Sequence, residues 1–337
     1  MSRGHAAEPP FTYRMLGLLV RSEIELPEVP RADPADAPAE ILIIRGTVAP
    51  ERGLVESDED YPPYEVRGRR FFIEREGVAR FLAEDGRSVT VDAHPEAADV
   101  DVRVFLLGSV LGALCHQRDL VPLHAAAVGD KAGCFAFAGP SGTGKSTISA
   151  GLRQIGLTFV ADDICPVVLD SGRHPAVLAG LRRVKLGADT LEALGQGSGA
   201  VTRDHRSLPK FHLPVEGGDP SVPVPLTAVY MFRHDPEALR GPRIEAISPA
   251  YAVRCYENLT YMPRYPRAAG VAEAHFLRCA SLAALVPLFL VHHRRGMDRL
   301  PRLLDRLASH LRPTLGGTAS PQEAAESVAA FLRRSRP

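Results

Sequence analysis

Over the first hundred positions the apolar residues come in short groups, at 15–19, 41–44, 71–73, 78–82 and 89–91, several of them alternating with polar ones. Alternation with a period of two places successive side chains on opposite faces, so these groups read as half-exposed strands. Asp85-Gly86 falls between two of them and has the chemistry of a hairpin turn. The stretch 27–39, dense in Pro, Ala and acidic residues, reads as a loop, and residues 1–10 as a disordered start. The acidic run Asp58-Glu59-Asp60 reads as solvated loop rather than metal site. The pattern predicts a small β-rich domain over residues 1–97.

From residue 98 the pattern changes. Apolar residues recur at helical spacing over 102–117, in a segment suited to packing two halves of the chain together. A strand of small residues follows at 123–128, a turn at 129–133, and a second apolar strand at 134–138. Residues 146–155 suit a helix stopped by Gly156, and 157–161 a buried strand ending in Asp162-Asp163. Farther on, strands are predicted at 228–232 and 289–291. Helices are predicted at 188–194, from Ser248-Pro249 to 259, over 297–311, and from the capping box Ser320-Pro321-Gln322-Glu323 to about 334. This second domain, 98–337, is α/β. Its sheet is expected to be mixed, because a hairpin leads into the segment at 139 where a parallel βαβ unit would be usual.

That segment carries the clearest chemistry. Gly139-Pro140-Ser141-Gly142-Thr143-Gly144-Lys145-Ser146 is a complete GxxxxGK[ST] run between an apolar strand and a helix. Its glycines let successive backbone N–H groups turn inward on phosphates, and the helix that follows adds the positive end of its dipole. Lys145 then reaches the β/γ-phosphates and Ser146 offers its hydroxyl to Mg²⁺, with Thr147 counted among the nucleotide-binding residues. The chain has 29 Gly and four Lys in 337 residues, so the run arises by chance in roughly a few chains per thousand of this composition. ATP and Mg²⁺ are the expected cofactors.

Two carboxylates just beyond a buried strand, beside a metal-bound nucleotide, suit metal binding and acceptance of the proton of an attacking hydroxyl. Basic residues recur at Arg182, Arg183 and Lys185, and again at Arg203, His205, Arg206 and Lys210 after the Gly-rich stretch 195–199. A mobile basic loop there would close over substrate or supply a cation to the transferring group, with Lys185 and Arg183 first in line. His292-His293 point to opposite faces of a strand and lack a third ligand, so no metal is assigned to them.

Composition narrows the class. A net charge of zero with 45% hydrophobic and 24% charged residues gives no reason to expect nucleic acid as a partner. The longest apolar runs are too short to span a bilayer, no basic-then-apolar leader opens the chain, and five scattered cysteines form no CxxC pair. A cytoplasmic protein with no membrane partner is expected.

Three elements in order, Leu123-His124-Ala125-Ala126-Ala127-Val128, the phosphate loop and Ala161-Asp162-Asp163, resemble the catalytic domain of HPr kinase/phosphorylase, a bacterial serine kinase. His124 precedes Gly139 by fifteen positions and Asp162 follows Ser146 by sixteen, and the match is strong over 120–170. The whole chain is similar to the HPr-kinase-related kinases of bacterial peptide biosynthesis clusters, including those acting on lasso-peptide precursors. The resemblance implies an HPr-kinase-like P-loop fold and a peptide or protein substrate bearing a serine. It makes Asp162 the general base, Asp163 a residue near the metal with Ser146, and His124 a group beside the γ-phosphate. It does not extend to the family's downstream glycine-rich signature or substrate-binding segment, which are not found here, nor therefore to HPr as acceptor, reverse phosphorylase activity or a hexamer. Oligomeric state is left open, a homo-oligomer included. The residues themselves also admit a small-molecule kinase, or a nucleotide-binding regulator whose hydrolysis drives a signal.

Overall fold

Alternating apolar residues build a seven-stranded sheet at the front of the chain. The computed structural model describes residues 9–34, 38–50, 63–130, 132–140, 142–153, 156–170, 173–179, 181–187, 191, 202–205, 208–238 and 241–311. The strands are β1 (Phe11–Met15), β2 (Leu18–Ser22), β3 (Ile41–Arg45), β4 (Tyr64–Arg67), β5 (Arg70–Arg75), β6 (Ala79–Glu84) and β7 (Ser88–Ala93). Their order is β1-β2-β3-β7-β6-β5-β4, antiparallel except where β3 meets β2 and β7. In β6, Ala79, Phe81 and Ala83 are buried while the residues between them are half-buried, as the period-two pattern requires. The predicted turn at Asp85-Gly86 joins β6 to β7, both residues having positive φ. The group at 15–19 is no single strand. Leu16 and Gly17, at φ 56° and 73°, turn the chain between β1 and β2.

The expected helix at 102–117 is the greater part of a longer helical run, α1 (Asp99–Phe105), a π-helical turn (Leu106–Val110) and α2 (Leu111–Gln117). Residues 106–117 are buried on every side, which suits a helix lodged between layers. Leu106, Val110 and Leu114 share one apolar cluster with Tyr13, Phe71 and Phe81 of the sheet and with Tyr261, Met262 and Tyr265 from far down the chain.

A second sheet follows. Its first strands are β8 (Val121–Leu123), β9 (Ala125–Gly129), β10 (Cys134–Ala138), β11 (Thr158–Ala161), β12 (Cys165–Val168) and β13 (Ala176–Val177). Then β14 (Arg183–Gly187), β15 (Thr202–His205) and β16 (Leu208–Pro214) form a separate antiparallel sheet in the order β14-β16-β15. The second sheet resumes with β17 (Val224–His234), β18 (Arg243–Ile247) and β19 (Leu288–His293). Central β10 pairs antiparallel with β9 and parallel with β17, and β17 pairs parallel with β19. The sheet is therefore mixed, as the hairpin predicted.

Alternation along β10 feeds two cores. Ala136 and Ala138 face α4 (Pro249–Leu259) and, beyond the short α5 (Tyr265–Ala268), α6 (Ala272–Leu285). Phe135 and Phe137 face α3 (Lys145–Arg153) and α7 (Leu300–Leu311). The chain is a mixed α/β protein with several mixed sheets. Among the described residues no helix is long and apolar enough to cross a membrane.

Three expectations change. The strand at 123–128 is two strands broken at His124. Arg203, His205 and Lys210 lie on strands β15 and β16 rather than in a loop, because the chain there closes a small antiparallel sheet. The group at 15–19 divides between β1 and β2. The acidic run 58–60, Lys131, Arg206, the stretch 195–199, the predicted helix at 188–194 apart from Leu191, and the helix from Ser320 lie outside the described residues.

Candidate functional site

The glycine-rich loop predicted to hold phosphates leaves β10 at Ala138 and ends where α3 begins at Lys145. Gly139, Gly142 and Gly144 have φ of 147°, 78° and 88°, conformations that side chains with a Cβ resist, and so the loop curls back on itself. Lys145 is buried, and its Nζ donates to the carbonyl oxygens of Gly139 at 2.7 Å and Pro140 at 3.3 Å. Thr143 Oγ1 donates to the same Pro140 carbonyl at 2.7 Å. Ser141 lies outside the described residues.

At the second residue of α3, Ser146 Oγ donates to Asp162 Oδ1 at 2.9 Å. The other carboxylate oxygen of Asp162 accepts the backbone N–H of Lys185 at 2.7 Å. Burial pushes the Asp162 carboxyl up to about 6, and neighbouring Asp163 adds to the rise, while the hydrogen bonds from Lys185 and Ser146 oppose it. Asp163 has φ of 69°. Its Oδ2 accepts from Lys185 Nζ at 2.9 Å, and its Oδ1 lies 3.9 Å from His124 Nε2. His124 occupies the bend between β8 and β9, held by its N–H donating to the Leu259 carbonyl at 2.7 Å, with its ring beside Tyr261.

Thus Ser146, Asp162, Asp163, Lys185 and His124 come together at one end of the phosphate loop. Arg183, named with Lys185 from the sequence, goes elsewhere. It is buried with Nη1 3.2 Å from His212 Nδ1 and 3.8 Å from Glu28 Oε1, against the first sheet's loop. Ser146 thus touches Asp162, while Asp163 meets Lys185 and His124. Oxygen donors from Ser146 and Asp162 suit a hard cation that takes its remaining ligands from phosphates and water, so the residues present fit Mg²⁺.

A cavity of about 310 Å³ borders Gly142, Gly144 and Thr147, with a further wall from His293 at the end of β19 and from Arg294 and Arg295 after it. Sequence reasoning weighed His293 only as a metal ligand and passed over the two arginines. Their signal was their place at the carboxyl end of a predicted strand, where ligands of α/β sheets bind. As predicted, the two histidines part: His292 lies by Asp235 and Glu245, at 3.5 Å and 3.6 Å, whereas His293 is buried against Phe232. Compared with known protein families and curated proteins, the chain matches no family model and no curated protein.

Proposed function

We propose that this chain is an ATP- and Mg²⁺-dependent kinase of the HPr-kinase-like P-loop class, which phosphorylates a serine hydroxyl of a peptide or protein, with a lasso-type biosynthetic precursor as the acceptor. The observation that carries this is the bond between Ser146 and Asp162 at the end of a phosphate loop, with Asp163, Lys185 and His124 gathered beside it.

Residues 139–147 hold the phosphates, and Lys145 exchanges its loop carbonyls for the β/γ oxygens. Ser146 and Asp162 would hold Mg²⁺, which when bound neutralises charge building on the transferring group. Both oxygens of Asp162 are engaged within the fold, while Asp163 is the more exposed carboxylate. That supports giving the metal side to Asp162 and the proton-accepting role to Asp163. As the serine oxygen bonds to the γ-phosphorus and the bond to the β-phosphate oxygen breaks, the serine proton passes to an Asp163 oxygen. Lys185 Nζ and the His124 ring lie against the two oxygens of Asp163 and orient it.

The test is intact-mass spectrometry of peptides encoded beside this gene after incubation with the protein, ATP and Mg²⁺. The expected result is a gain of one phosphate that disappears when one serine of the peptide is changed. Asp163→Asn should slow transfer by about 10²- to 10⁴-fold with Mg²⁺·ATP still bound, whereas Asp162→Asn should weaken that binding itself. A near-normal rate in Asp163→Asn would sink the assignment. ATP consumption without peptide modification would favour a small-molecule kinase or a regulator.

A further inference from the structure

We infer that the cavity beside the phosphate loop receives the nucleoside part of the donor, with His293 as part of its wall and Arg294 and Arg295 as its binding residues. The inference rests on reading residues 139–147 as a triphosphate site.

Strands β10, β17 and β19 are parallel, so their carboxyl ends emerge along one edge of the sheet. The phosphate loop follows β10, and residues 294–296 follow β19, with β17 between. A nucleotide whose phosphates lie in the loop has its sugar and base to house, and about 310 Å³ lies against the same loop, at the small end of the range for ligand pockets. Gly142, Gly144 and Thr147 bound the cavity on the loop side and His293, Arg294 and Arg295 on the other.

His293 lines the cavity. It is 4% exposed, its ring meets Phe232 edge to face at 5.5 Å, and its Nδ1 lies 3.2 Å from the Arg294 carbonyl oxygen, to which it donates. A neutral imidazole donating from Nδ1 leaves Nε2 as an acceptor, and burial favours the neutral form by lowering the pKa. That Nε2 is buried and has no hydrogen-bond partner. That atom is closed off from the cavity as well, so the ring serves as wall and the groups that reach a nucleoside come from its neighbours. Beside it, Arg294 is half-buried and Arg295 exposed. Their planar guanidinium groups can stack on a base face, as an ammonium cannot.

Calorimetric titration of the full chain with Mg²⁺·ATP and with Mg²⁺·tripolyphosphate, which lacks the nucleoside, separates the two readings. Wild type should bind ATP about tenfold more tightly than tripolyphosphate. The double variant Arg294→Ala/Arg295→Ala, changed outside the core, should bind ATP about tenfold more weakly with tripolyphosphate unchanged. The inference is overturned if the double variant binds ATP like wild type, if both ligands weaken equally, or if wild type binds the two ligands alike. Lys145→Ala should weaken both ligands together. If wild type binds neither, the triphosphate reading fails and this inference with it; binding of both without discrimination overturns only the inference.

Discussion

Asp162 keeps a carboxyl where water is scarce and replaces the lost hydration with two donors, Ser146 Oγ and the Lys185 N–H. The replacement is incomplete, since its pKa rises from 3.8 to about 6. For a carboxyl raised on folding, the stabilising contribution is full below 3.8, where it is protonated in both states, and is lost as pH climbs through 6. The gap corresponds to about 3 kcal/mol at most. Urea unfolding with EDTA, at pH 5 and pH 8, should therefore show wild type losing stability relative to Asp162→Asn as pH rises. Parallel pH dependences for the two proteins would show that the carboxyl stays ionised throughout.

Between elements, α3, which follows the glycine-rich loop, packs closely against α7. A Cβ built on Gly151 would meet Leu304 Cδ1 at 2.6 Å, and Leu304 is fully buried. Gly151→Ala should cost about 1–3 kcal/mol through overpacking, although alanine is the better helix former by about 1 kcal/mol. In a Leu304→Ala background the clash is relieved and the same change should become neutral or stabilising. Denaturant midpoints for the four proteins of this cycle test it, and equal costs in the two backgrounds would refute the contact. Elements with a local signal were legible in the sequence. The phosphate loop, the turn at Asp85-Gly86, the Ser248-Pro249 helix start and the strand ending at Asp162 each rest on residues within a few positions of one another. The break at His124 was not legible, because it arises where β8 pairs with β12 and β9 with β10 and β11. The β14–β16 sheet and the role of Arg183 likewise depend on partners that periodicity does not reveal.

Over the whole molecule, the first sheet is tied to the remainder by more than its apolar cluster. Gln117 Nε2 donates to the carbonyls of Arg69 and Ala83, and its Oε1 accepts the Gly86 N–H at 2.8 Å. Glu28 meets Arg103 at 3.0 Å, and its carbonyl accepts the Arg182 N–H at 2.8 Å. With Tyr261, Met262 and Tyr265 packed in the same cluster as Phe71, loss of either part strips apolar cover from the other. Calorimetric unfolding should therefore show a single transition, and two resolved peaks would show that the sheet over residues 11–93 melts on its own. The cavity at His293 was invisible in the sequence for a related reason: its two walls come from segments about 150 positions apart.

The parallel pairing of β10 with β17 also sets a timetable for biosynthesis. Leu226, the first partner on β17, follows Cys134 by 92 positions. At typical translation speeds the edge of β10 waits roughly 5–20 s on the ribosome before its neighbour is made, and longer still before β19 joins. During that interval β10 pairs with β9 and α3 is available to cover its face, but its other edge has no strand to pair with. The nascent chain is then at its most adhesive, and a chaperone that covers hydrophobic strand edges has its clearest use there.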